Sequence, residues 1–224
     1  MTAGAWRSID GVDPLLTGAP WRALELAARV RALVGGFPLR ELALVDGLRR
    51  AAVALLLAPD EQGRLCFVLT RRSLRLRSHS GQWALPGGKV DADESVVEAA
   101  LRELDEELGV RPGTDSVLGR LDDYATRSGF LISPVVLWSP QRLRFEPDPE
   151  EVALALEVPL DSFDRPDVPR LRPIPESERP VIALPVGESW VHAPTAAVVF
   201  QLFELIRGRC HRVDGYEEPV FAWR

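Results

Sequence analysis

Cysteine is scarce in this chain. Cys66 and Cys210 are the only two, too few for a disulfide framework and without the spacing of metal ligands. Long apolar runs are also missing. The stretch Ala51 to Ala58 is far too short to span a bilayer, and Trp190 to Ile206 is interrupted by His192, Gln201 and Glu204. The amino terminus carries Asp10 and no apolar h-region, so it does not read as a secretory signal, and a cytoplasmic protein without a membrane partner is expected. Positive charge is not in excess: the net charge is −6, which argues against a protein that grips a nucleic-acid backbone. No repeat at solenoid or propeller periods is visible. Lysine is almost absent, since Lys89 is the only one among 27 basic residues. That bias runs through the whole chain and carries no functional weight. What remains is an ordinary globular composition, 46% hydrophobic and 27% charged over 224 residues, long enough to bury a core unaided.

Periodicity places the elements. Leu24, Leu26, Ala27, Val30 and Leu33 predict a helix from Pro20 to Val34, closed by Gly35-Gly36 and Pro38. Arg50 to Leu57 and Leu65 to Thr70 read as strands around a turn, and Trp83 to Leu85 as a brief one before Pro86-Gly87-Gly88 ends regular structure. Further strands are expected over Val117 to Tyr124, Phe130 to Trp138, Glu151 to Val158 and Val181 to Pro185. Phe163 to Pro180 holds five prolines and reads as a loop. Pro194 to Arg207 reads as a helix, followed by an irregular tail from Gly208. Strands both adjacent and separated by helices predict an α/β fold with a mixed sheet and helices on both faces.

The helix from Asp93 to Leu108 carries the chemistry. Asp93 is a candidate N-cap and Gly109 the stop. Val97, Leu101, Leu104 and Leu108 share one face and should meet the core. Glu103, Glu106 and Glu107 share another. Crowded carboxylates repel, and a divalent cation removes that penalty; Mg²⁺ and Mn²⁺ both favour carboxylate oxygen. Arg102 is spaced to pair with Glu98 one turn back, and Gly87-Gly88 lets a backbone carbonyl join the metal shell.

These residues fall in a longer pattern. Gly88, five residues, Glu94, seven residues and then Arg102-Glu103-Leu104-Asp105-Glu106-Glu107-Leu108-Gly109-Val110 fill every position of the Nudix box. A chance match in a chain this long is on the order of one in 10⁶. The chain therefore resembles the Nudix hydrolases, which cleave a nucleoside diphosphate linked to another moiety. The resemblance implies an α/β/α sandwich with the box forming loop-helix-loop. Three regions are expected, a helical extension over 1–49, a hydrolase domain over 50–207 with its box at 88–110 and additional N- and C-terminal helices around the sandwich, and a tail over 208–224, of which the two ends are not explained by the resemblance. It implies that Glu103, Glu106 and Glu107 bind metal, that Gly88 supplies the turn, and that Arg102 and Glu94 brace the box.

A narrower resemblance lies upstream. Leu69-Thr70-Arg71-Arg72-Ser73, Arg77, Gly81 and Leu85-Pro86-Gly87-Gly88 are similar to the motif of coenzyme A pyrophosphatases, which yield 3′,5′-ADP and 4′-phosphopantetheine. Leu85 stands where that group usually has phenylalanine. Arg71, Arg72, Arg75 and Arg77 put four guanidinium groups beside the expected phosphate site. The implied partner is a small CoA-like nucleotide. Another nucleotide, such as ADP-ribose, a dinucleotide or an oxidised nucleotide, and a non-catalytic sensor are the alternatives. Glu107 is favoured as the general base; Glu106 and Glu151 are the other candidates. His79 is balanced between touching phosphate and being a plain loop histidine, while His192 and His211 read as structural or exposed. Trp83 reads more readily as core than as a stacking surface. The N- and C-terminal helices are available for a homodimer.

Overall fold

Strand β1 (Arg49–Pro59) lies inside a sheet buried on both faces. Successive strand residues point to opposite faces. Ala52, Ala54 and Leu56 accordingly join one apolar cluster, while Leu55 and Leu57 join the other. The computed structural model of the chain describes residues 21–76 and 79–222. Pro20 and Arg77 thus lie outside the described residues.

Beside β1, β7 (Phe130–Trp138) runs parallel, in register from Arg49↔Phe130 to Leu57↔Trp138. On its other side β2 (Leu65–Arg72) pairs antiparallel, but only at Leu57 to Pro59. Beyond that point two short strands separate β1 from β2: β3 (Trp83–Ala84) pairs with β2, and β4 (Gly87–Lys89) pairs with β1. Strands β5 (Val117–Arg120) and β6 (Tyr124–Ala125) pair with β7, and β8 (Val152–Pro159) with β2. One parallel pairing among antiparallel ones makes the sheet mixed.

Helix α2 (Val96–Leu108) covers one face with Ala99, Ala100, Leu104 and Leu108. Helices α1 (Ala23–Gly35) and α3 (Thr195–Ile206) cover the other, where Trp21 stacks on Phe203 at 5.5 Å between ring centres. The layering is the α/β/α arrangement expected from the sequence. Every residue of α3 is buried, so it leaves no face for a second copy of the chain, contrary to the dimer role considered for it.

Two breaks expected from glycine and proline do not occur. Gly87 to Lys89 continue as β4, because glycine lets this strand lie against the backbone of Ala52 and Val53. The expected loop over 163–180 contains β9 (Arg170–Ile174) and the start of β10 (Ser177–Val186), which with β11 (Ser189–His192) form a second, antiparallel sheet. Its prolines sit where a ladder tolerates them: Pro173 lies in the edge strand β9, and Pro180 falls in the register shift between Ser177 and Val181. The tail after Gly208 is not merely irregular. It forms short 3₁₀ turns at Val213–Gly215 and Val220–Ala222, and Val213 and Tyr216 enter the core.

Candidate active site

Helix α2 begins two residues later than its acidic approach suggests. Ser95, not Asp93, is the N-cap: its Oγ accepts from the Glu98 N–H at 3.2 Å, and Glu98 accepts from the Ser95 N–H at 2.8 Å. This reciprocal box satisfies two otherwise unpaired N–H groups. It also occupies Glu98, so the expected Glu98–Arg102 pair does not form. Arg102 turns instead to Glu94 at 2.9 and 3.0 Å, and donates to the Lys89 carbonyl at 3.0 Å. Its Nη1 reaches both Glu103 at 2.8 Å and Glu106 at 2.9 Å. One planar guanidinium thereby ties the loop before the helix to two of the three glutamates.

The three glutamates differ in environment. Glu107 is 2% exposed and Glu103 is 9% exposed, whereas the Glu106 side chain is 56% exposed. Burial pushes the Glu107 carboxyl up to about 8; Arg72, at 3.7 Å, opposes the shift, and the charges of Glu103 and Glu151 add to it. The Gly87 N–H also donates to this carboxylate, yet Oε2 has no hydrogen-bond partner. A buried acceptor left unpaired is costly, by about 1–3 kcal/mol. Burial raises Glu103 as well, with Arg102 opposing and Glu106 and Glu151 contributing. Gly88 sits so close to Glu103 that a Cβ there would run into the carboxylate. Glu151, just before β8, is therefore electrostatically part of the same group.

Among the described residues, no three His, Cys, Asp or Glu side chains converge as a finished metal cluster. The donor set nonetheless suits a hard divalent cation. It offers the unpaired Oε2 of Glu107, the Glu103 carboxylate against a glycine, and the exposed Glu106 carboxylate. Arg102 supplies positive charge to Glu103 and Glu106, and a cation would take over part of that role.

A cavity of about 760 Å³ opens beside these residues. Arg71, Arg72, Gly87, Gly88 and Lys89 line it, but the three glutamates do not. The two features meet through Gly88, which abuts Glu103, and through Arg72, which faces Glu107. The expected arginine cluster is divided. Arg71 reaches the Gly81 carbonyl at 3.2 Å and lies 5.9 Å over the Trp83 ring, within the cavity. Arg75 pairs with Glu150 and does not line the cavity.

His79 and Trp83 line the cavity, and the Trp83 indole N–H donates to Ser189 Oγ at 3.1 Å. Leu85 is buried in the core beneath it. His192, expected to be structural or exposed, is a half-buried cavity residue, and burial together with Arg172 lowers its pKa. Sequence reasoning missed the contribution of Trp190 and Phe221 to this lining. Trp190 is carried there by a hairpin that the distant Trp83 holds through Ser189, and Phe221 by its contact with His192, links that no local spacing marks.

The profile described as the NUDIX domain matches residues 47–178, more than half of the chain. A relative from Citrobacter koseri, named uncharacterized Nudix hydrolase NudL, is 41% identical over 116 residues, which is 51% of this chain and 60% of the relative. A relative of the same name from Pectobacterium atrosepticum is 47% identical over 95 residues, 42% of this chain and 50% of the relative. The matched part of the chain thus spans between half and about three fifths of these relatives' length. Among solved structures, the MutT protein of Methanosarcina mazei is similar with 28% identity and a TM-score of 0.42, over 54% of this chain and 83% of that one. With its box carried on β4 and α2 and its profile matched across the central sheet, the chain belongs to the NUDIX domain family.

Proposed function

We propose that this protein is a divalent-metal-dependent pyrophosphohydrolase of a nucleoside diphosphate linked to another moiety, with coenzyme A or a derivative as its substrate. The observation that carries the reading is Glu107. It is a buried carboxylate with an unpaired oxygen, placed between Arg72 on a nucleotide-sized cavity and the Gly88–Glu103 contact. Glu103, Glu106 and Glu107, with the Gly88 carbonyl, would hold Mg²⁺ or Mn²⁺. When bound, such an ion neutralises charge on phosphate oxygens and lowers the pKa of water. Arg71 and Arg72 bind the diphosphate as forked donors, and Arg72 keeps Glu107 from being an isolated buried charge. Arg102 and Glu94 hold the helix against the loop at Lys89, fixing Glu103 at Gly88. Glu107 in its ionised form, which the Arg72 guanidinium favours against burial, is the base that takes the proton of the attacking water. Glu151 supports it by raising its affinity for that proton. The CoA assignment is supported by Arg71, Arg72, Leu85, Gly87 and Gly88, residues of that motif which line the cavity together.

The test is turnover of CoA, ADP-ribose, NADH and 8-oxo-dGTP by purified protein, with Glu106→Gln protein alongside. Formation of 3′,5′-ADP and 4′-phosphopantetheine, lost in the variant, is the expected result. Cleavage of another substrate alone retains the chemistry and discards CoA. No turnover of any of the four discards the enzymatic reading.

A further inference from the structure

The cavity is chemically two-sided. Arg71, Arg72 and Lys89 contribute charge from β2 and β4, whereas Trp190, His192 and Phe221 contribute rings from β11 and the C-terminal segment. All three ring residues lie beyond residue 178, where the NUDIX match ends. The Arg170 guanidinium, on the same face of the second sheet, lies 4.0 Å over the Trp190 ring and holds the indole, which lines the cavity while Arg170 does not. Phe221 is 59% exposed, and its ring meets His192 edge-on at 5.6 Å and 89°. A large ring kept in water at a cavity rim is the arrangement that a flat apolar ligand group would cover. The Trp83 indole, bonded to Ser189 at the start of β11, anchors the ring-bearing hairpin to the charged side. A nucleoside diphosphate has the matching polarity, with a flat base at one end and phosphates at the other.

We propose that Trp190, His192 and Phe221 form the seat of the substrate's nucleobase, with Trp190 as the stacking platform. This rests on the reading of the substrate as a nucleoside diphosphate derivative, but it assigns the base to a part of the chain outside the family match. Stacking on an aromatic ring is tolerant of base identity, so the seat selects for a base over an aliphatic group rather than for one base over another.

The seat is tested by calorimetric titration of the full chain with ADP, with inorganic pyrophosphate and with 4′-phosphopantetheine, none of which requires turnover. The parent is compared with Trp190→Leu and with Phe221→Ala, whose exposed ring can be removed without opening the core. Trp190→Leu is expected to weaken ADP by about 5- to 100-fold, Phe221→Ala by less, and neither to change pyrophosphate. Unchanged ADP affinity in both variants overturns the proposal. So does an equal loss for pyrophosphate, a loss for 4′-phosphopantetheine as large as that for ADP, or a parent protein that does not bind ADP. Ring-dependent ADP binding in a protein without turnover would leave the seat standing and remove only the hydrolase reading.

Discussion

Alanine at Gly87 and alanine at Gly88 are expected to do different kinds of damage, although the two residues are neighbours on one strand. Gly87 has φ +155°, and a Cβ there meets the Ala52 carbonyl oxygen and comes within 2.8 Å of the Val53 Cα. Both obstacles are backbone of the central strand and cannot rotate away. Backbone strain of about 1–3 kcal/mol adds to overpacking of about 1–3 kcal/mol. Gly87→Ala should therefore lose a large part of a typical stability of about 5–15 kcal/mol. At Gly88 the three nearest atoms all belong to the Glu103 carboxylate, with Cδ at 2.6 Å. Rotation of that side chain relieves the clash at the expense of its 2.8 Å bond to Arg102. The stability cost should stay near the 1.5–3 kcal/mol, roughly, of one charged hydrogen bond. Turnover should suffer more, because displacing a positioned group by 1 Å costs on the order of 10²-fold. Urea unfolding followed by tryptophan fluorescence, with turnover on the same preparations, separates the two effects. A Gly88→Ala protein with full turnover, or one as unstable as Gly87→Ala, would refute the reasoning.

The pH dependence of stability in chelator-treated protein gives a second test. Folded Glu107 keeps its proton up to about 8, whereas the unperturbed group releases it at 4.5, so this group's contribution falls as pH rises through that interval. At about 1.4 kcal/mol per pKa unit the fall is several kcal/mol, and Glu107→Gln should flatten it; equal slopes in parent and variant contradict the burial argument. Arg102→Lys loses the planar fork shared by Glu94, Glu103 and Glu106 and should cost about 1–2 kcal/mol in urea unfolding, and an unchanged midpoint would count against the bracing role. Ser95→Ala removes the α2 cap and should cost about 1 kcal/mol with turnover retained; a loss of turnover at unchanged stability would mean that the cap does more than hold the helix.

The parts of the fold legible in the sequence are those set by local periodicity. Phe130 to Trp138 forms the strand that its apolar run predicts, and Leu104 and Leu108 bury as the helical spacing requires. Other features depended on competition between partners. Arg102 has a well-spaced acid in Glu98, but the capping box takes that carboxylate, and the guanidinium is left to the loop and the metal-face glutamates. The proline-rich segment looked like a loop because prolines break central strands, yet an edge strand and a register shift accommodate them. The arginine cluster looked like one anion site. In the fold, Arg75 turns to Glu150 while Arg71 and Arg72 stay on the cavity. Trp190 and Phe221 were not legible at all as cavity residues, since only the folded hairpin and tail bring them beside Arg71 and Gly88.

The central claim is that the glutamates of α2 form a divalent-cation site. Titrating Mn²⁺ into the protein and reading the free ion by electron paramagnetic resonance tests it without reference to any substrate. Parent protein should bind Mn²⁺, and Glu103→Gln and Glu107→Gln should each weaken binding by about tenfold or more, since each removes a charged ligand oxygen. Equal Mn²⁺ affinity in the parent and both variants would contradict the account.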